Sequence, residues 1–246
     1  MDPPEVLVFG DNRIELVRME PGRFEMGEPN WRTAKVLEFL SATPAGSNEG
    51  PPHTVEITYP FWISKEPVSA ELYSEFLNSL EPETALRDFV SLNNFANFEL
   101  RDGRFIARQA STSPYANTVS HAGGVAFCKW LEERVPFRVR LPYEAEWEYA
   151  GKTRGAELRY GLNLWEWCKD YYRDRYKPDG DVTVNPTGPE EPEDFMNNGS
   201  PTFARRFPNE IYTDRSGATG TPPIDSGTYG FRIVVLPRKK PSSASD

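Results

Sequence analysis

The sequence predicts one α+β domain, irregular and loop-rich, with two main helices packed beside short antiparallel strands. Three observations carry that reading. Aromatic residues make up 13% of the chain within a hydrophobic share of 38%, so the core is built from rings rather than aliphatic runs. The 18 Gly and 23 Pro are too many for a helical bundle and suit a fold with long connections. Apolar residues recur at helical spacing in two places and alternate or cluster in short runs elsewhere. At 246 residues the chain can hold a single core, and the domain is expected to span 1–236, with 237–246 a disordered C-terminal tail.

Each element has its own local reason. Residues 5–9 and 14–18 read as short strands, and Pro21-Gly22 turns the chain between Met19 and Phe24. Residues 28–52 form a Pro-, Gly- and Asn-rich insertion, with a helical turn expected around Ala34–Leu40. Val55–Ile57 and Phe61–Ile63 are strands, and Pro60 suggests an edge or a bulge there. Ser69 is placed to cap a helix running to about Leu80, with Leu72, Phe76 and Leu80 along one face. Arg101-Asp102-Gly103-Arg104 has the composition of a hairpin turn. Ser120 opens a second helix through Glu133, whose apolar face is Phe127, Trp130 and Leu131.

The stretch from Arg140 to Asp170 contains two tryptophan–glutamate units. Ala145–Ala150 reads as a short helix with Pro142 in its first turn and Glu144, Glu146 and Glu148 near the positive end of its dipole. Leu164–Cys168 alternates with period two, so Trp165 and Trp167 share one face and Glu166 takes the other. Indoles so arranged are core before they are a ligand cage, because Trp buries the largest area per residue. From Lys177 to Asn197 the chain is rich in Pro, Gly and acids and reads as a solvated loop.

Composition excludes several functions. A formal charge of -9 and the lack of a basic face argue against a nucleic-acid partner. Arg238-Lys239-Lys240 belongs to the tail. No run of about 18 apolar residues exists, so no membrane partner is expected. The opening MDPPEVLVFGD lacks the basic and apolar regions of a secretory signal, and two cysteines fit free thiols in a reducing compartment; a cytoplasmic location is the expectation. There is no P-loop, nucleophile elbow or dinucleotide fingerprint, and Ser200 has no visible base and reads as a turn residue.

The motifs also carry a resemblance. RLPYEAEWEYA, then LNLWEWCKD, then Gly230-Phe231-Arg232-Ile233-Val234 resemble the signatures of the formylglycine-generating-enzyme (sulfatase-modifying-factor) family, usually RLPTEAEWEYA, GNVWEW and GFRVV. Phe24–Gly27, Pro52–Val55, Phe61–Ile63 and Pro67–Ser69 extend the likeness to roughly residues 14–236. The resemblance implies a C-type-lectin-like fold. The family includes copper-dependent oxidases of substrate cysteines, iron-dependent relatives and proteins with no known chemistry.

What the resemblance implies for the site is mixed. The catalytic members hold copper with two cysteines after an RGGS motif. Here the matching Asn198-Gly199-Ser200-Pro201 is followed by a cysteine-free segment, with Phe203 and Pro208 or Asn209 near the thiolate positions. Formylglycine chemistry is therefore not expected, and Cys128 and Cys168 read as structural thiols. One family calcium site is expected to be lost with the shortened 151–162 loop. A second maps onto the carbonyls of Leu162 and Leu164 and the side chain of Glu166, with Arg159 where an Asn ligand would stand; Arg159 is expected to replace the ion and pair with Glu166. No cofactor is expected, with calcium at Glu166 the competing outcome. The leading reading is a pseudoenzyme that binds a protein or small-molecule ligand through Phe203, Arg205, Arg206, Phe207, Tyr212 and Arg215, the aromatics giving contact area and the arginines fixing anionic or carbonyl groups. One alternative is an iron- or copper-dependent oxidoreductase with His53 and His121 as ligands. Another is a structural subunit of a larger assembly, docked through the acidic 188–194 loop or the 28–52 insertion.

Overall fold

The computed structural model describes residues 1–29, 32, 50–108, 113–161, 164–171, 176, 178–189, 201–206, 213–217 and 229–238; for 201–206 and 213–217 it describes the backbone alone. Five strands form the central sheet in the order β1-β2-β5-β14-β8. They are β1 (Val6–Phe9), β2 (Asn12–Met19), β5 (Phe61–Ser64), β14 (Val234–Pro237) and β8 (Phe137–Arg140). β5 and β14 thus lie inside the sheet. Pro60 precedes β5 and breaks no ladder bond, so the edge or bulge its presence suggests does not form.

Both faces of this sheet are covered, and the period-two alternation of its strands decides which side chain goes where. Leu16, Trp62 and Val235 enter one cluster, with Tyr73, Phe76, Phe98, Phe127, Trp130 and Phe231. Val17, Phe61, Ile63 and Val234 enter a second, with Met19, Phe24, Val55 and Tyr149. On the first side lie helix α1 (Ala70–Leu77), capped by the Ser69 hydroxyl accepting from the Leu72 N–H, and helix α2 (His121–Glu132), capped in the same way by Ser120 on the Gly123 N–H. Both helices start where the capping residues predict. α1 ends three residues before Leu80, because Asn78 and Ser79 turn the chain back on Ser74 and Phe76.

The rings of α1 and α2 interlock. Phe127 lies 5.8 Å from Phe76 and 5.3 Å from Phe231, each edge-on. The close approach of the helices needs Gly123: a Cβ there would collide with the Tyr73 hydroxyl and come within 2.6 Å of the Phe89 carbonyl oxygen. The hairpin of β6 (Phe98–Arg101) and β7 (Arg104–Ala107) follows from its turn chemistry, with Asp102 and Gly103 at φ 50° and 76° as a two-residue primed turn requires.

On the second side, helix α3 (Glu144–Arg154) packs on a three-stranded sheet, β10-β4-β3. Its strands are β3 (Gly22–Met26), β4 (His53–Ile57) and β10 (Val182–Val184). β10 falls within the stretch read as a solvated loop and pairs parallel to β4. Tyr143 is the residue that caps α3, so Pro142 stands just outside rather than in the first turn, and the helix runs four residues past Ala150. The acids of α3 are more than dipole partners. Glu144, Glu146 and Glu148 are all buried. Glu146 receives both Nη atoms of Arg140 at 2.6 and 2.7 Å and the Tyr59 hydroxyl at 2.8 Å, tying α3 to β8. Glu148 accepts from the Gly27 N–H at 2.7 Å and pairs with Lys152 at 2.6 Å, tying α3 to the end of β3. Burial raises the Glu148 carboxyl above its ordinary range even though Lys152 and the Gly27 N–H pull the other way.

The last sheet, β12-β11-β9-β13, comprises β9 (Trp165–Tyr171), β11 (Pro201–Arg206), β12 (Thr213–Gly217) and β13 (Tyr229–Gly230). β13 runs parallel to β9, so the expectation of antiparallel strands holds for most pairings but not for this one or for β10–β4. The helical turn expected at Ala34–Leu40 lies outside the described residues. Among the described residues no helix is long and apolar enough to cross a membrane.

Candidate functional site

β9 is the strand on which the site is built, and its two faces do different work. On one face Trp167 is buried and its Nε1–H donates to the Val119 carbonyl at 2.8 Å. The Tyr229 ring stacks on it at 5.1 Å with an interplanar angle of 18°, and the His121 ring meets it edge-on at 5.8 Å. His121 Nε2 lies 3.0 Å from the Cys168 carbonyl oxygen. A carbonyl only accepts, so Nε2 carries a proton in this arrangement. Desolvation lowers the His121 pKa below its ordinary value, against a smaller opposing effect of the Cys168 hydrogen bond. Next to Val119 in the chain is Thr118, a β-branched residue at φ 53° whose buried hydroxyl has no hydrogen-bond partner among the described residues. Strain of this kind persists only where neighbours enforce it. Here the next residue does so, with the Val119 N–H bonded to the Tyr229 carbonyl and the Val119 carbonyl to Trp167.

On the other face of β9 stands Glu166, 1% exposed. Its carboxylate is held by Arg232, itself 0% exposed, through Nε to Oε2 and through Nη2 to Oε1 at 2.7 Å. Trp147 Nε1 donates to Oε2 at 3.1 Å. Arg232 spends its other donors on the carbonyls of Ser64 and Arg159, at 3.2 and 3.0 Å. Burial alone would lower the Arg232 pKa, but the charge and hydrogen bonds of Glu166 more than offset this and hold it above its ordinary value. Arg159 is therefore not the partner of Glu166. Its guanidinium pairs with Glu66 at 2.8 Å on the surface, and only its backbone carbonyl joins the buried network. The sequence signal for the correct partner was a charged residue inside the otherwise apolar Phe231–Val235.

β11 lies against β9 with Phe203 opposite Trp167 and Ala204 opposite Glu166. β12 covers its far side, with Arg205 opposite Asp214 and Ala204 opposite Arg215. By alternation Phe203 and Arg205 belong to one face of this strand pair, and Arg206 and Arg215 to the other. Four of the six residues expected to form a single binding surface, Phe203, Arg205, Arg206 and Arg215, are thus brought onto one strand pair but divided between its two faces. Phe207 and Tyr212, in the connection between the strands, lie outside the described residues.

With the geometry in place, comparison with known proteins decides the family. Residues 10–163 match the Sulfatase-modifying factor enzyme 1-like domain family, well over half of the chain. The chain belongs to that family. Among curated proteins, the serine/threonine-protein kinase pkn1 of Chlamydia pneumoniae is similar at 23% identity over 189 residues, 62% of this chain but only 29% of that relative's length. Among solved structures, PvdO from Pseudomonas aeruginosa shares the fold at a TM-score of 0.61 and 18% identity, over 94% of this chain and 97% of that one. Treponema denticola variable protein 1 does so at 0.60 and 16%, over 94% and 98%. The family match ends at residue 163, just before β9, so the strands that carry the site lie beyond it.

Membership raises the question of the family's metals, and the described residues at the positions in question do not suit them. At Glu166, three donors already occupy a carboxylate with about four acceptor sites. A calcium ion there would also face the Arg232 guanidinium, in a setting too buried to screen the repulsion. Copper(I) needs paired thiolates, and none of residues 198–230 is a cysteine. Cys128 packs in the first core cluster, where burial pushes its thiol far above the ordinary value, while Cys168 packs against Trp147. The two histidines have different partners. His53 Nδ1 lies 3.1 Å from the Pro51 carbonyl oxygen, and the ring packs 5.1 Å from Tyr176 on the α3 side. His121 lies at the start of α2. Among the described residues no group of three His, Cys, Asp or Glu side chains is arranged to hold a metal ion.

Proposed function

We propose that this sulfatase-modifying-factor family member is a pseudoenzyme that binds a protein or small-molecule ligand through the C-terminal strand pair β11–β12. The observation that carries the reading is the placement of that pair. It pairs with β9 with Phe203 in register with Trp167, and β12 is an edge strand of its sheet. The segment that resembles the family's copper-binding region thus pairs with the strand that carries the Trp167–Tyr229 stack, while offering no thiolate. Its Phe, Tyr and Arg content suits contact rather than redox chemistry. Because Arg206 and Arg215 fall on the opposite face from Phe203 and Arg205, the ligand is held at the β12 edge of the pair, which both faces share.

The test pairs affinity with stability. Arg206→Ala and Tyr212→Ala are expected to abolish capture of the cognate ligand from the source lysate while leaving the melting temperature unchanged. In parallel, copper loading followed by oxygen-electrode assay on a cysteine-containing peptide is expected to give no turnover. Equal loss of binding and of stability would make these residues structural, and copper-dependent oxygen consumption would return the protein to the oxidases.

A further inference from the structure

A cavity of about 140 Å³ opens where β2, the end of β5 and the turn into α1 meet, far in sequence from β11 and β12. Its floor is apolar, formed by Ile14, Pro67, Val68 and Leu72. The turn that shapes it is fixed from behind. The Val68 N–H donates to the Phe231 carbonyl, its own carbonyl accepts from Ala116, and the Ser64 hydroxyl oxygen accepts from the Ile233 N–H. Ser69 caps α1 with its hydroxyl. The polar groups of this turn are therefore spent inward, and a guest meets mainly hydrocarbon and the charged rim.

The charges of that rim do not cancel. Glu15 pairs with Lys65 at 2.7 Å, and Glu66 pairs with Arg159 at 2.8 Å. Lys65, by hydrogen bond first and charge second, holds the Glu15 carboxyl below its ordinary value, with smaller contributions from the charges of Arg159 and Arg13. Arg13, the one cation in the cavity's lining, makes no ion pair among the described residues. The positive end of the α1 dipole lies on the same side, since Ser69 and Leu72 both line the cavity. Both acids of the lining thus have a hydrogen-bonded cation of their own, and the Arg13 guanidinium, whose charge also reaches Glu15, makes no hydrogen bond to either.

We infer that this cavity binds a carboxylate attached to a short branched aliphatic group, with Arg13 taking the carboxylate and Ile14, Val68 and Leu72 taking the hydrocarbon. A planar guanidinium accepts a carboxylate through two parallel hydrogen bonds, which an amide cannot reproduce. The volume is close to that of the roughly 150 Å³ apolar cavity known to admit benzene, so the aliphatic part holds about four to six carbons. Two sources present this chemistry, a free short-chain acid and the C-terminal leucine or valine of a peptide.

The full chain is titrated by calorimetry and ligand-detected NMR with 4-methylpentanoate, with N-acetyl-glycyl-glycyl-leucine, and with the amide of each. Saturable binding of 4-methylpentanoate supports a free acid. Binding of the peptide acid without the small acid supports a peptide C-terminus. In either case Arg13→Gln weakens binding by at least about tenfold, as expected for loss of a charge-assisted pair, whereas Arg104→Gln in the β7 hairpin does not. Arg13 is exposed, so the melting temperature of Arg13→Gln is expected to match the parent. Three results overturn the assignment: amides that bind as well as acids, no binding of either acid at millimolar concentration, or unchanged affinity in Arg13→Gln.

Discussion

Removal of Arg232 tests the buried pair with Glu166 most directly. Both side chains are essentially excluded from solvent, and Arg232 makes two charge-assisted bonds to Glu166 besides those to backbone carbonyls. Arg232→Met fills most of the volume but leaves a buried carboxylate whose remaining donor among the described residues is the Trp147 Nε1–H. Breaking one partner of such a pair costs about 3–5 kcal/mol. At roughly 2–4 °C per kcal/mol for a chain of this length, the melting temperature falls by roughly 6–20 °C. Glu166→Gln keeps the shape, leaves the guanidinium uncompensated, and is expected to lose a similar amount. The double variant Glu166→Gln/Arg232→Met is expected to lose clearly less than the sum, because no buried charge survives. Urea melts of the four proteins close the cycle. Single losses below about 1 kcal/mol, or strict additivity, would refute the argument that each charge is there to neutralise the other. Rescue of Arg232→Met by millimolar calcium would show instead that the pocket accepts a cation once the guanidinium is gone.

Two further outcomes follow from packing and titration. Gly123→Ala places a methyl against the Tyr73 hydroxyl and the Phe89 carbonyl, and is expected to destabilise by about 1–3 kcal/mol in thermal melts, although Ala is the better helix former. For His121, the folded pKa lies below that of the unfolded chain, so the unfolded state takes up the proton first as pH falls. The stability its neutral form supports is complete above about pH 6.5 and is lost as pH drops below it toward the folded pKa. His121→Gln is expected to flatten the change in urea midpoint between about pH 7.5 and pH 5. An unaltered slope would mean that other groups set the acid response.

The architecture was largely legible in local signals. Ser69 and Ser120 announced their helices because a hydroxyl at the N-cap satisfies an amide that nothing else nearby can reach. Asp102-Gly103 announced its hairpin because few residues other than Gly, Asn and Asp tolerate both central conformations of that turn. Signals failed where the deciding contact is distant in sequence. β10 looked like loop because Val182–Val184 is a strand only by virtue of β4, more than a hundred residues earlier. The acids of α3 looked like dipole partners because helix position is local, whereas Arg140 and the Gly27 N–H are brought to them by the packing of separate elements.

The exchange of Arg159 for Arg232 has the same origin and leads to the site. A guanidinium opposite Glu166 was foreseeable from charge, but choosing between two arginines needs the three-dimensional path of the chain. β13 runs parallel to β9 and sets Gly230 beside Glu166, and two residues on Arg232 meets the carboxylate. The Arg159 backbone is tied to Lys65 and Arg232, but its side chain is exposed and instead finds Glu66. The same geometry links the two faces of β9. The strand that seats Arg232 also presents Tyr229 to Trp167, so the buried ion pair and the aromatic support under β11 are set by one short parallel pairing. Weakening the pair at Arg232 is therefore expected to loosen the Trp167–Tyr229 stack before it disturbs α1 or α2. Tryptophan fluorescence would then change at lower denaturant than far-ultraviolet circular dichroism in Arg232→Met, while the two transitions coincide in the parent. Coincident transitions in both proteins would mean that the pair and the stack belong to the same cooperative unit as the helices.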